Sequence, residues 1–181
     1  MGLDMYLSKR KYVKNWDHMK PEDKHEIVVK KNGVVIDDPM PISELVYSAG
    51  YWRKANAIHK WFAENIQEGE DNCGEYYVGH ESIKTLLDTV NEVLKASKLI
   101  EGMIQNGTTW NNETKKSEPI MEKGKLIEDP SVAKLLLPTE GGFFFGSTEY
   151  DQYYYDDLVE TKNILEKCLD EDFDYYYRSS W

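Results

Sequence analysis

The sequence predicts an α+β fold in which a small antiparallel sheet packs against about three amphipathic helices. Two observations support this prediction. Apolar and polar residues alternate near both ends of the chain and around an Asn-Gly pair, which is typical of strands and of a hairpin. Longer stretches repeat their apolar residues every three or four positions, which is typical of helices. The strands and helices do not alternate regularly, so a wound βαβ fold is not expected.

The predicted sheet combines the two ends of the chain with one hairpin. Residues 2–13 alternate as a half-buried N-terminal strand. Two β-branched runs flank Asn32 and Gly33, a pair that favours the left-handed backbone of a tight hairpin turn, and Pro39 helps to end that hairpin. The aromatic residues 172–181 form a strand that can pair at a sheet edge beside the N-terminal strand.

Three amphipathic helices are predicted from apolar periodicity. The central one covers residues 51–66 and follows a short helical segment that starts at Ser43. Its apolar face is formed by Tyr51, Trp52, Ala55, Ile58, His59, Phe62 and Ile66. Residues 79–99 carry the second pattern. The third helix begins near Thr148, because Thr148 and Asp151 have the spacing of a capping box with Asp in place of the usual Glu.

One segment interrupts these elements. Residues 101–129 are rich in Gly, Asn, Thr, Lys and Glu and show little periodicity, so we expect a long, partly mobile excursion, and loops of this length are often functional. A chain of 181 residues lies in the size range of one domain. Residues 1–181 are therefore expected to form a single domain that contains the excursion.

The charge balance excludes one class of function and favours another. The chain has 33 acidic and 22 basic residues, a formal charge of -11 and an isoelectric point near 4.9. Such a chain is not expected to coat nucleic acid by neutralising phosphates. An acidic surface can instead imitate nucleic acid and occupy the basic groove of a protein, or it can simply keep the chain dispersed in water.

Cysteine usage and hydropathy indicate a compartment. Cys73 and Cys168 are the only cysteines, and no apolar run approaches the length of a membrane span or a signal core. We expect a protein of a reducing cytoplasm with free thiols and no membrane segment. No serine nucleophile elbow, HExxH or kinase signature occurs, so a non-enzymatic protein without a cofactor is favoured.

Four strings of the sequence are distinctive. They are MGLDMYL at the start, YWRKANAIHKWF in the middle, LPTEGGFFFG followed by TEYD, and the terminal YYYRSSW. In these strings the chain resembles a family of small, uncharacterised proteins encoded by bacteriophages and prophages. The resemblance covers most of the chain except the excursion, and it carries no chemistry to transfer. It implies expression in the cytoplasm of an infected bacterium and a role in host takeover or counter-defence.

A ligand cleft is predicted between the central helix and the glycine- and phenylalanine-rich segment after Thr139. Glycines on both sides of the phenylalanines allow close backbone approach, and the N-terminus of the third helix offers unpaired N–H groups to an anion. The alternative is a tight turn that enters a core strand. The predicted lining is Trp52, Arg53, Asn56, His59, Phe145 and Tyr150. A nucleotide-like ligand would fit such a cleft.

A zinc site is a further hypothesis. Cys73 and His80 flank a short strand and, with His59, supply the thiolate and imidazole ligands that zinc accepts. The spacing matches no zinc motif. The alternative for His59 is a core histidine that is hydrogen-bonded to a carbonyl or a carboxylate.

The leading functional interpretation is a protein-binding role. Aspartates interleaved with tyrosines offer both charge and stacking to a nucleic-acid-binding groove. The predicted contact surface is Asp151, Tyr153, Tyr154, Tyr155, Asp156, Asp157, Tyr175, Tyr176 and Tyr177. We therefore expect a phage-type accessory protein that binds a host protein and inhibits a nucleic-acid-targeting defence system, such as a CRISPR effector. A small-ligand or zinc-binding protein is the alternative, and a virion structural or assembly component is the third.

Overall fold

The structure, a computed structural model, describes residues 2–36 and 40–181 and has the predicted α+β class. The strands are β1 (Asp4–Tyr12), β2 (Lys30–Lys31), β3 (Val34–Val35), β4 (Glu44–Arg53), β5 (Glu75–Val78), β6 (Leu99–Asn111), β7 (Lys116–Ile127) and β8 (Asp174–Ser180). The helices are α1 (Asn56–Asn65), α2 (His80–Ala96), α3 (Ser131–Leu136) and α4 (Gln152–Leu165). A 3-10 turn covers Pro21–Asp23.

The central sheet is antiparallel and has the strand order β4-β1-β8-β5. The predicted pairing of the two ends of the chain is observed, with Leu7 opposite Tyr177 in the register of β1 and β8. Alternate side chains of β8, including Tyr175 and Tyr177, are fully buried. One face of the sheet is therefore the floor of the core.

Helices α1, α2 and α4 cover that face with apolar side chains. Of the face predicted for the central helix, Ala55, Ile58, His59 and Phe62 are buried, whereas Tyr51 lies in β4 and is 43% exposed. Phe62 of α1 lies flat on Tyr177, with 3.9 Å between ring centroids and 7° between ring planes. The core side chains of α2 and α4 include Leu86, Val90 and Leu158, which have no exposed surface. Burial of this apolar area is the main term that stabilises the fold.

The central helix begins later than predicted. Residues 51–53 belong to β4, where Trp52 pairs with Met5, and α1 starts at Asn56. The short helix predicted from Ser43 is likewise strand. Lys54 adopts the left-handed conformation (φ 62°) and separates strand from helix. A buried tryptophan fits the apolar side of either element, so periodicity alone placed the boundary too early.

Residues 101–129, predicted as an excursion, are mostly strand. Strands β6 and β7 pair along nearly their whole length as a two-stranded hairpin. Beyond Ile104 most side chains of this hairpin are exposed on both faces, so no alternation marks it in the sequence. Its turn is closed by Asn111, whose side-chain oxygen accepts hydrogen bonds from the backbone N–H groups of Glu113 and Thr114.

Two further details differ from the prediction. The hairpin around Asn32 and Gly33 forms with the expected positive φ angles, but it is a separate two-stranded sheet, and β4 and β5 take its place in the central sheet. Pro39 lies outside the described residues. The cap of α4 is Asp151 itself, because the hydrogen bond from Ile127 N–H to the Tyr150 carbonyl holds the chain extended beside β7 until that point. Among the helices of residues 2–36 and 40–181, none is both long and apolar enough to cross a membrane.

Candidate functional site

Residues 141–146, here called the Gly–Phe loop, are fixed to the start of α1 by one side chain. The amide nitrogen of Asn56 donates hydrogen bonds to the carbonyls of Phe145 at 3.0 Å and Ser147 at 2.7 Å. Its amide oxygen accepts a hydrogen bond from the backbone N–H of Glu140 at 3.1 Å. Asn56 is 4% exposed, so these bonds are shielded from water. Both flanks of the loop therefore have a defined position.

The three phenylalanines of the loop have different environments. Phe145 is buried and Phe144 is half-buried, whereas Phe143 is 96% exposed. Phe143 contacts Phe144 edge-on, with 4.9 Å between ring centroids. A Cβ atom at Gly142 would lie 2.8 Å from the ring of Phe145, so only glycine fits there. The core thus holds one aromatic ring of the loop and leaves another in water.

A cleft of about 640 Å³, here called the acidic cleft, lies on one side of the Gly–Phe loop. Its walls come from the β4–α1 junction, the beginning of α4 and the part of β6 near Gly107. The acidic residues of its lining are Glu149, Asp151, Asp156 and Asp157, and the basic ones are Arg53 and Lys54. The cleft therefore carries more negative than positive charge and opens beside Phe143, which also lines it.

Asp151 is the most constrained carboxylate of the acidic cleft. Its Oδ1 accepts hydrogen bonds from the backbone N–H groups of Tyr153 at 2.9 Å and Tyr154 at 3.3 Å, which caps α4. Its Oδ2 is buried and has no hydrogen-bond partner among the described residues. Burial raises the pKa of Asp151 above its usual value, and the two N–H donors oppose that rise.

Asp157, nearly two turns further along α4, is an unusual acid. Burial, followed by repulsion from Glu160, Asp156 and Asp151, raises its pKa to about 7. A carboxyl group with that pKa changes its charge near neutral pH. The negative charge of the acidic cleft therefore depends on pH in the physiological range.

A second cleft, here called the aromatic pocket, is also lined by the Gly–Phe loop, shares Gly142 and Phe143 with the acidic cleft and has a volume of about 510 Å³. His59 lies at its base and is 1% exposed. The Nδ1 atom of His59 is 2.8 Å from the Tyr177 hydroxyl, and its Nε2 atom is 3.0 Å from a carboxylate oxygen of Asp71. Both ring nitrogens are thus hydrogen-bonded, which is the arrangement of a satisfied core histidine.

The residues of the predicted ligand cleft are divided between these features. Arg53 and Asn56 line the acidic cleft, while His59 and Phe145 line the aromatic pocket. Trp52 is buried and donates its indole N–H to the Thr161 hydroxyl. The hydroxyl of the remaining residue, Tyr150, accepts a hydrogen bond from the backbone N–H of Thr139. The predicted set is therefore not one lining, and Asn56 is the member whose side chain hydrogen-bonds to the Gly–Phe loop.

The structure does not assemble the predicted zinc ligands. Cys73 is exposed, and Nε2 of His80 is 3.3 Å from the Asp170 carbonyl. Within residues 2–36 and 40–181, no group of three His, Cys, Asp or Glu side chains is placed to hold a metal ion. Zinc binding stays a prediction, as do the nucleotide-like ligand and the virion role.

The predicted partner surface is split between core and exterior. The interior side chains are Asp151, Tyr154, Tyr175 and Tyr177. The half-buried or exposed side chains are Tyr153, Tyr155, Asp156, Asp157 and Tyr176. Burial thus removes four of the nine side chains from contact with a partner. The C-terminal strand was predicted at a sheet edge, but β8 lies inside the sheet and pairs with β1 and β5. Alternate side chains of such a strand are buried in the core, so the edge prediction overestimated the exposure of the C-terminal tyrosines.

Sequence reasoning missed several residues that line the two clefts. They are Phe143, Glu149 and Trp181. For Phe143 a signal exists, because three consecutive aromatic residues bounded by glycines cannot all face one core. For Trp181 no local pattern exists, since only the tertiary fold brings it to His59.

Comparisons with protein-family models, with curated proteins and with solved structures find no match to this chain.

Proposed function

We propose that this chain is a phage-type accessory protein that acts in the bacterial cytoplasm by binding a host protein. Phe143 and the acidic cleft beside it form the proposed contact surface. The observation that supports this most directly is the 96% exposure of Phe143 on a loop whose flanks are tied to α1 by Asn56. Large aromatic side chains that enter a partner's pocket dominate many protein interfaces.

Preorganisation strengthens this interpretation. A side chain on a mobile loop loses conformational entropy when it binds, and that loss weakens the complex. The backbone on both sides of Phe143 is already hydrogen-bonded, through the Phe144 carbonyl to Leu3 N–H and through Asn56. Less entropy is therefore lost on binding, and the exposed ring is suited to be an anchor.

The charge of the cleft indicates the kind of partner. Glu149, Asp156 and Asp157 lie beside Phe143, and the whole chain carries a formal charge of -11. A basic surface complements such a site and is attracted to it over a distance. With the resemblance to phage and prophage proteins, this favours a nucleic-acid-binding host protein, such as an effector of a CRISPR-type defence system.

The structure also changes which tyrosines we propose as contacts. Tyr153 is 42% exposed at the start of α4 and lines the acidic cleft with Asp156. Tyr176 of β8 is half-buried and contacts Tyr77 edge-on. We propose Tyr153 as part of the contact surface, because its ring and hydroxyl can serve an apolar and a polar neighbour together.

Affinity capture from a host lysate tests this proposal. The wild-type chain and two variants, Phe143→Ala and Val34→Ala, are immobilised at low salt, where charge complementarity is strongest. Val34 is the matched control, because it is an exposed apolar residue outside both clefts. We expect one host protein to be retained by the wild-type chain and the control, lost with Phe143→Ala, and displaced by added DNA.

Two outcomes would contradict the proposal. Equal retention by Phe143→Ala and the wild-type chain would show that the exposed ring is not an anchor. Retention that added DNA leaves unchanged would show that the partner's nucleic-acid groove is not the binding site.

A further inference from the structure

The aromatic pocket combines ring walls with an acidic rim. Its aromatic residues include His59, Phe145 and Trp181, and its acidic residues are Glu64, Asp71 and Glu140. None of these acidic residues lines the acidic cleft, but Gly142 and Phe143 line both, so the two clefts are neighbours that share part of the Gly–Phe loop. Most of its exposed lining is apolar, which distinguishes it from the acidic cleft.

The ring of Trp181 is the accessible one of these three. Trp181 is half-buried, whereas His59 is 1% and Phe145 is 8% exposed. The ring centroid of Trp181 lies 5.8 Å from that of His59 and 6.3 Å from that of Phe145, so the two buried rings pack directly against the indole. Because the face of an aromatic ring attracts a cation, the indole of Trp181 is the part of the pocket on which a cation can stack.

The rim has a net negative charge. Its one basic residue, Lys60, is 3.0 Å from a carboxylate oxygen of Glu140 and 3.9 Å from one of Glu64, so its charge is already compensated. Asp71 uses one oxygen for His59, and its side chain is about one-third exposed. Three carboxylates against one ammonium leave the rim complementary to a cation.

We propose that the aromatic pocket binds the guanidinium group of an arginine side chain from the partner protein. A guanidinium is planar and stacks on an aromatic face while its N–H groups donate to carboxylates, so it satisfies both features of the pocket. The inference rests on the proposed function for the source of the arginine. It adds a second contact, next to the acidic cleft, in a pocket that shares Phe143 with it.

A titration with small probes tests the pocket without any partner. The probes are N-acetyl-arginine methylamide, its lysine counterpart and the uncharged, nearly isosteric citrulline counterpart. Binding is followed by NMR through the indole N–H of Trp181 and the backbone amides of Gly69 and Gly141, which line the pocket. We expect saturable shifts with arginine and at least about fivefold weaker binding of citrulline.

Two tryptophan variants provide the specificity control. Trp181→Leu removes a wall of the pocket, and we expect it to weaken arginine binding about fivefold as seen at Gly69 and Gly141. Trp110→Leu removes an exposed indole of β6 outside the pocket and should leave binding unchanged. Trp181→Phe keeps an aromatic face and should retain part of the affinity, which separates a lost contact from a disturbed fold.

The failures of the two proposals are distinguishable. Equal shifts with arginine and citrulline, or a Trp110→Leu effect as large as that of Trp181→Leu, would overturn the pocket inference even if host capture succeeds. An equal response to lysine would overturn its assignment to arginine. Host capture that is equal for Phe143→Ala and the wild-type chain would overturn the proposed contact surface. If arginine binding nevertheless depends on Trp181, the pocket inference is supported.

Discussion

The side-chain amide of Asn56 holds the carbonyl of Phe145 at 3.0 Å although the two residues are separated by 89 positions in the chain. Through this contact and two others, the first turn of α1 determines the position of the Gly–Phe loop. The buried ring of Phe145 and the exposed ring of Phe143 are positioned by the same loop. Core packing and the presentation of the contact surface are therefore coupled.

Replacing Asn56 with alanine is expected to destabilise the chain. The change leaves two carbonyls and one N–H without their partner in a buried region, and we expect the free energy of unfolding to fall by about 2–4 kcal/mol. Asn163→Ala, at an exposed position of α4, is the control and should change it by less than about 0.5 kcal/mol. Urea denaturation measures both. Equal effects of the two variants would be evidence against this role of Asn56.

The Tyr177 hydroxyl is predicted to stabilise the interior through His59. Tyr177→Phe keeps the ring stacked on Phe62 but leaves Nδ1 of a 1% exposed His59 without its partner. We expect a loss of about 1–3 kcal/mol in the free energy of unfolding. Tyr77→Phe removes a hydroxyl from a half-exposed residue of β5 and should have almost no effect. Thermal unfolding of Tyr177→Phe and Tyr77→Phe measures this predicted difference in stability.

Asp157 is predicted to make stability fall as pH rises. Its pKa is about 7 in the folded chain and about 3.9 in an unfolded chain, so the folded state holds the extra proton between these values. The contribution of this group is complete below pH ~4 and is lost as pH rises through ~7. Removing the carboxyl group of Asp157 should therefore make the free energy of unfolding depend less on pH between pH ~4 and ~7.

The matching variants are Asp157→Asn and, as a control, Asp88→Asn at an exposed position of α2. We expect Asp157→Asn to be more stable than the wild-type chain at pH 8 by on the order of 2 kcal/mol, with little difference at pH 4. Urea denaturation at both pH values measures this. A pH profile for Asp157→Asn that is as steep as that of the wild-type chain would refute the assignment.

Much of the fold could be predicted because the relevant signals are local. The stripe of α2 around Leu86 and Val90 and the turn at Asn32-Gly33 depend on residues close together in sequence. The start of α1 could not be placed, since Trp52 satisfies the apolar side of a strand or a helix equally. The β6–β7 hairpin was missed because strands exposed on both faces lack alternation.

The candidate site was less accessible to sequence reasoning. The sequence indicated the Gly–Phe segment and Asn56 as neighbours, and the structure brings them together. It did not indicate that the side chain of Asn56 would form hydrogen bonds to the loop at Phe145 and to its flanks at Glu140 and Ser147. Nor did it separate Phe143 from Phe145, because which ring of a run enters the core depends on loop geometry. Trp181 reaches His59 only through the pairing of β8 with β1.

The most direct test of the central claim is site-specific photocrosslinking from position 143. A photoreactive benzoyl-phenylalanine replaces Phe143 in one chain and Val34 in a control chain, and both are irradiated in host lysate. We predict a light-dependent adduct with one host protein from position 143 only, which added DNA suppresses. No adduct from position 143, or the same adduct from position 34, would contradict the claim that Phe143 anchors a partner.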